Sequence, residues 1–121
     1  MARVLVVDDA KVLRLSQIAL LEKLGHEVVG EAVDGQDGCE QYFRLKPDIV
    51  MIDLIMPVLD GIAAIEKIKE RDKDAKIILL TSNTNEDRIN EALSLGVSEL
   101  LFKPTEEDQL REALNRLLET D

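Results

Sequence analysis

Short apolar runs alternate along the chain with longer amphipathic stretches. Val4-Leu5-Val6-Val7 is the first run, Ile49-Val50-Met51-Ile52 the second clear one, Ile77-Ile78-Leu79-Leu80 the third and Leu100-Leu101-Phe102 the fourth. His26-Glu27-Val28-Val29-Gly30 is a weaker strand candidate. Apolar runs without alternation indicate strands buried on both faces, as in a parallel sheet. These segments are β1 (4–7), β2 (26–30), β3 (49–52), β4 (77–80) and β5 (100–102). The stretches between them have helical spacing. A helix α1 (10–24) stops at Gly25, a residue suited to a helix C-terminus. Asp34 can cap α2 (35–45), with Pro47 beyond it. In α3 (61–70), Ile62, Ile65 and Ile68 share a face, and α4 (86–95) stops at Gly96. The last helix, α5 (105–118), opens with Thr105 and Asp108 as an approximate capping box. Leu110, Ala113, Leu114, Leu117 and Leu118 then form its apolar stripe.

The order βαβαβαβαβα with right-handed crossovers predicts an α/β fold: a doubly wound, five-stranded parallel sheet with helices on both faces. Two details stand out from this pattern. Gly38 lies inside α2 at a cost of about 1 kcal/mol against Ala, and the pattern supplies no reason for it. In α1, Leu13, Leu20, Leu21 and Leu24 are apolar, but so are Val12, Leu15 and Ile18. One face must serve the sheet. The rest packs on a neighbouring helix, or Leu15 and Ile18 stay partly exposed for a partner.

In open α/β sheets, ligands sit at the carboxyl ends of the strands. There β1 is followed by Asp8 and Asp9, β3 by Asp53, β4 by Thr81 and Ser82, and β5 by Lys103 and Pro104. Three carboxylates at one edge repel one another, and a divalent cation relieves that repulsion. Carboxylates with open water positions suit Mg²⁺, and a lysine ammonium beside them suits a phosphoryl group. The chain has neither G-x-x-x-x-G-K-[ST] nor G-x-G-x-x-G, so a carboxylate can itself be the phosphoryl acceptor. Each residue also has a plainer reading. Asp8 and Asp9 could serve the α1 dipole, Asp53 a solvated turn, Ser82 the cap of α4, and Lys103 a solvated loop. Their convergence favours the chemical reading. Asp60 reads as a cap or turn acid, and Tyr42 and Phe43 as packing residues.

Composition narrows the partners. At 121 residues the chain is expected to be one domain, 1–121. Hydrophobic residues at 45% and charged residues at 33% describe a soluble globular protein. The 15 Lys and Arg against 25 Asp and Glu give a net charge of −10, which argues against a nucleic-acid or anionic-membrane surface. The single cysteine, Cys39, excludes an intramolecular disulfide and reads as a small helix hydrophobe. His26, the only histidine, is expected at the surface and argues against a histidine metal site. With no signal peptide and no apolar run near the ~20 residues of a membrane helix, no membrane insertion and a cytoplasmic location are expected.

The segments V-L-V-V-D-D (4–9), M-I-D-L-I-M-P (51–57) with D-G (60–61), L-L-T-S (79–82) and F-K-P (102–104) occur in this order and spacing. Together they resemble a response-regulator receiver domain of the stand-alone chemotaxis type, over residues 4–118. The resemblance implies strand order 2-1-3-4-5 and a phosphorylation-activated signalling switch rather than an enzyme with substrate turnover. Asp53 would accept a phosphoryl group from a phosphohistidine of a histidine kinase or histidine phosphotransfer protein. Mg²⁺ would be held by Asp9, Asp53, the Ile55 carbonyl and, through water, Asp8. Thr81 would hydrogen-bond the phosphoryl group and Lys103 would pair with it. A cis Lys103–Pro104 peptide is also implied. Output would pass to a downstream protein through the α4–β5–α5 face. In similar receivers α1 docks on the kinase bundle. A receiver cut from a longer regulator and a phosphorylation-incompetent pseudo-receiver are the alternatives within the family.

The sequence departs from the pattern at Leu100, where the family usually has Tyr or Phe. Ile55 and Asn83 occupy positions that tune access of the hydrolytic water, and an apolar Ile55 points to slow dephosphorylation. Outside the family, a haloacid-dehalogenase-like phosphatase would need an acid where Ile55 stands. A flavodoxin-type site would suffer repulsion of the FMN phosphate by Asp8 and Asp9.

Overall fold

The computed structural model describes residues 1–82 and 85–119. The elements in chain order are β1 (Arg3–Val7), α1 (Lys11–Lys23), β2 (Glu27–Ala32), α2 (Gly35–Leu45), β3 (Ile49–Asp53), α3 (Gly61–Arg71), β4 (Ile77–Thr81), α4 (Glu86–Ser94), β5 (Glu99–Phe102) and α5 (Glu107–Glu119). All five strands pair in parallel, in the order β2-β1-β3-β4-β5. Every residue of β3 and β4 is buried, as their unbroken apolar runs require.

The two-residue strand period divides the core into two layers. Leu5, Val7, Val50, Ile52, Ile77 and Leu79 point to one face and pack with Cys39, Tyr42, Ile62, Ile65, Ile68 and Ala92 of α2, α3 and α4. Val4, Val6, Ile49, Met51, Ile78 and Leu80 point to the other and pack with Leu21 of α1 and Leu110, Ala113, Leu114 and Leu117 of α5. Fixing helices on both faces holds the strand ends in register, with Asp53 opposite Leu80 and Thr81 opposite Phe102.

β2 runs two residues beyond the pattern's limit. Its register with β1 shifts between Val4 and Leu5, which brings Glu31 opposite Val6 and Ala32 opposite Val7. Asp34 caps α2 through the Asp37 amide and Asp60 caps α3 through the Ala63 amide. Asn85, not Ser82, caps α4, accepting from the Asp87 and Arg88 amides. Thr105 does not cap α5: its hydroxyl oxygen is buried without a hydrogen-bond partner among the described residues. His26 is half-buried rather than a surface group, and its Nδ1 accepts the Ala2 amide at 3.0 Å. Cys39 is buried in the core, its thiol donating to the Ala64 carbonyl. Tyr42 is likewise core, its hydroxyl donating to Asp72 at 2.7 Å, and Phe43 packs edge-on against it.

In α1 the reading that leaves Leu15 exposed holds, and the buried face is largely polar. Its buried residues are Arg14, Gln17 and Leu21, while Leu13, Leu15 and Val12 are exposed. Leu20, Leu24 and Ile18 pack only partly against the core. The reason is local. The first two turns of α1 lie over the carboxyl ends of the strands, where the sheet offers oxygen atoms instead of methyl groups. Arg14 donates to the Asp8 carbonyl at 2.9 Å and to Glu31 at 2.7 Å. Farther along the helix Leu21 is fully buried against the apolar face, with Ile18, Leu20 and Leu24 packing partly beside it.

Gly38 now has a reason. A Cβ placed there would lie 2.9 Å from Val7 Cγ1, closer than real contacts allow. The missing side chain lets α2 close down on the end of β1. Gly38→Ala is therefore expected to destabilise by about 1–3 kcal/mol, despite the helix propensity gained. Urea unfolding measures this. In a Val7→Ala background the same change should be neutral or stabilising, and a stabilised Gly38→Ala single variant would refute the close-packing account.

Candidate functional site

β1 ends where its backbone leaves the sheet, and Asp8 follows at once. Asp8 is fully buried, and its amide still donates to the Ala32 carbonyl of β2. Its carboxylate is almost fully engaged. Oδ1 accepts the Ala10 amide at 2.9 Å, and Oδ2 accepts both Gln17 Nε2 at 3.0 Å and Lys103 Nζ at 2.7 Å. Asp9 is exposed on the rim beside it. Asp53 is the last residue of β3 and is 8% exposed. One oxygen from each of Asp8, Asp9 and Asp53 can be chosen so that all lie within 4.8 Å of one another. That is the spacing of a cation site made of hard oxygen donors.

Lys103 is the one ammonium ion-paired to this group among the described residues. Its side chain is 8% exposed, and Nζ lies 2.7 Å from Asp8 Oδ2 and 3.3 Å from Asp53 Oδ1. Its amide donates to the Thr81 carbonyl at 2.9 Å, which ties the exit of β5 to the end of β4. The Lys103–Pro104 peptide is cis. Thr81 is buried at the end of β4, whereas Ser82 is exposed. Asp8, Asp9, Asp53, Thr81 and Lys103 thus come together at one sheet edge. Ile55 lies on the β3–α3 loop and is 56% exposed. Asn83 lies outside the described residues.

The charges set the chemistry. Burial pushes the Asp53 carboxyl above its ordinary 3.8, Lys103 pulls it back, and the neighbouring Asp8 and Asp9 push it up again; the net direction is upward. Asp53 is a desolvated carboxyl group with the Lys103 amine beside it and the carboxyl groups of Asp8 and Asp9 near. Such a group gains from a cation and is exposed to an electrophile at the open rim. Asp60 is placed differently. It caps α3 and pairs with Arg88 of α4 at 2.6 Å, so it braces two helices rather than joining the site. Sequence reading missed Gln17 and Arg14. The available signal was their spacing with Leu21, three and seven residues from Arg14 along one helix face, directly after two acids.

With this geometry in view, comparison with known proteins is decisive. Residues 4–115 match the family model described as the response regulator receiver domain. The chain belongs to the response regulator receiver family. Among curated relatives, Protein CcdB of Bacillus subtilis is 40% identical over 118 residues, covering 98% of both chains. Chemotaxis protein CheY of Thermotoga maritima is 40% identical over 115 residues, covering 95% of this chain and 96% of that one. Among solved structures, one of a CheX–CheY–BeF₃–Mg²⁺ complex from Borrelia burgdorferi matches with a TM-score of 0.90 at 25% identity, covering 96% of this chain and 88% of that one. The receiver is accordingly a two-component signalling domain rather than a metabolic enzyme. No helix among its described residues is long and apolar enough to cross a membrane.

The upward shift of Asp53 carries a stability consequence. A carboxyl whose folded value is raised costs stability at pH above that value, and the cost vanishes below the ordinary 3.8. Asp53→Asn, without divalent cations, is expected to raise the urea midpoint at neutral pH. The gain should fade as pH falls toward 3.8. A gain that is absent at neutral pH, or that grows in acid, contradicts the charge account.

Proposed function

We propose that this receiver is a phosphorylation-activated switch in which Asp53 accepts a phosphoryl group from a phosphohistidine of a histidine kinase or histidine phosphotransfer protein. The observation that carries this reading is the buried ammonium of Lys103, shared between Asp8 and Asp53 at the rim. Asp9, Asp53 and the Ile55 carbonyl would hold Mg²⁺, with Asp8 acting through water; its Oδ2 already has two donors. When bound, the ion neutralises charge on the carboxylates and on the phosphoryl oxygens.

An Asp53 carboxylate oxygen attacks phosphorus. The phosphorus–nitrogen bond of the phosphohistidine breaks, and the electron pair leaves on the imidazole nitrogen. The product is an acyl phosphate on Asp53 and a neutral histidine once that nitrogen is protonated. Lys103 moves its ammonium onto a phosphoryl oxygen, and the Thr81 hydroxyl donates to another. Alignment and charge neutralisation supply the catalysis. The Borrelia relative was solved with BeF₃ and Mg²⁺, groups that this acid and lysine set would suit.

Phosphorylation biases a two-state equilibrium of the domain. The output face is α4–β5–α5, where Leu93 and Phe102 are exposed. Leu100 packs partly against the core and replaces the usual aromatic, so switching here does not rely on a ring at that position. We place this receiver in the cytoplasm, with residues 1–121 forming one domain. Val12 and Leu15 of α1, 80% and 47% exposed, form the docking surface for the phosphodonor protein.

Two experiments test this reading. Incubation with acetyl phosphate and Mg²⁺, followed by intact-mass analysis, should give one base-labile phosphoryl adduct that is absent from Asp53→Asn and absent without divalent cation. No adduct with any divalent cation would mark the chain as a pseudo-receiver. Leu15→Asp should slow transfer from a phosphohistidine donor by about tenfold, the effect expected when a docking anchor is lost, while leaving transfer from acetyl phosphate intact. Equal slowing of both would remove the docking role of α1.

A further inference from the structure

Gln17 is an unusual residue to bury against a catalytic carboxylate. It is 5% exposed on the inner face of α1, and its Nε2 donates to Asp8 Oδ2 at 3.0 Å. The same oxygen holds Lys103 at 2.7 Å. The amide orientation follows from this contact, because the flipped amide would set two acceptors against each other. Gln17 Oε1 is consequently turned away from Asp8, and it has no hydrogen-bond partner among the described residues. It lines a cavity of about 60 Å³ between α1 and the β5–α5 loop, together with Leu13, Ser16, Leu20, Pro104 and Thr105. The hydroxyl of Thr105 in that cavity is buried and unpartnered as well. The cavity is large enough for a water, which would lessen the cost of these groups without giving Gln17 a fixed partner. An apolar residue would fill the position at no such cost. The benefit of glutamine therefore lies at Asp8.

We propose that Gln17 is a positioning residue that makes Lys103 transferable. The inference rests on the reading of Asp53 as phosphoryl acceptor. Lys103 and Asp8 form a buried ion pair, and removing one partner from such a pair strands the other charge at high cost. Phosphoryl chemistry at Asp53 asks Lys103 to do just that: leave Asp8 Oδ2 for a phosphoryl oxygen. Gln17 is not called away. Its Nε2 stays on Oδ2 and continues to satisfy the carboxylate as the ammonium departs. Meanwhile the Ala10 amide holds Oδ1, so Asp8 keeps its orientation. Gln17 touches neither phosphoryl group nor donor, and it acts only through Asp8 on Lys103.

The test uses Gln17→Met, which keeps shape and removes the donor. The maximal rate of adduct formation from acetyl phosphate at saturating Mg²⁺ should fall about tenfold, the scale of one hydrogen bond to a charged group. Mg²⁺ affinity, measured by calorimetry with the metal alone, should be unchanged, because Oδ1 and its amide donor are untouched. In a Lys103→Ala background, Gln17→Met should have no further effect, since the step it assists is gone. A variant that reacts at the parent rate overturns the proposal. So does one that loses rate and Mg²⁺ affinity together, or one that slows Lys103→Ala as well. Should Gln17→Met fail to fold, Gln17→Leu with Thr105→Val fills the cavity with apolar atoms and meets the same comparison. A parent that takes no phosphoryl group at all overturns the acceptor reading along with this one. A phosphorylated parent with an unaffected Gln17→Met removes only the role of Gln17.

Discussion

Three carboxylates held at one end of a parallel sheet repel one another, and the rest of the molecule is arranged around that repulsion. Asp8 and Asp53 are buried beside each other with Asp9 on the rim. In water they would move apart. Here the strands that carry them are pinned between two apolar layers, so the charges stay where the register puts them. Lys103 offsets part of the repulsion from the far end of the chain, and the amides of Ala10 and Gln17 offset more. Burial first, and then the neighbouring Asp8 and Asp9, leave the Asp53 carboxyl raised despite Lys103. A carboxylate cluster of this spacing suits a divalent cation.

The same constraint explains why α1 turns polar residues inward. A helix over apolar strand faces buries leucine. A helix over strand ends that present a buried carboxylate and free carbonyls must present donors. Arg14 answers the Asp8 carbonyl and Glu31; Gln17 answers the Asp8 carboxylate. The apolar residues displaced from the interior, Val12 and Leu15, come to lie on the outside. One electrostatic demand at the strand ends thus produces both the inner polar contacts of the site and the outer apolar surface beside it.

The loops around the site are held by contacts of a different kind. Asp60 caps α3 and reaches Arg88 of α4, linking the two helices that flank β4. Gly61 lies so close to the Asp53 carbonyl that a side chain would collide with it, which seats α3 directly behind Asp53. Val58, in the same loop, has φ of 67°, a backbone region that a β-branched residue adopts only under strain. A loop with one strained residue and one tightly seated glycine is held in shape by its surroundings, next to Asp53.

Much of this was legible in the chain. Unbroken apolar runs mark strands buried on both faces, because a single hydrophobic pattern cannot serve a half-exposed strand. Their alternation with amphipathic segments sets the layer order, and the residue after each run then names the sheet edge: Asp8, Asp9, Asp53, Thr81 and Lys103 all came from that rule. Caps at Asp34 and Asp60 were readable because a cap is a local interaction over three residues. What no local pattern contained was the pairing of atoms across the fold. Lys103 meets Asp8 over 95 residues of separation, and which oxygen it takes depends on strand register. The value of Gly38 depends on Val7, the inward turn of Arg14 and Gln17 on where α1 crosses the sheet, and the unpartnered Thr105 hydroxyl on the path of a loop. Periodicity reports which residues leave water. Only the packed structure decides what each one meets there.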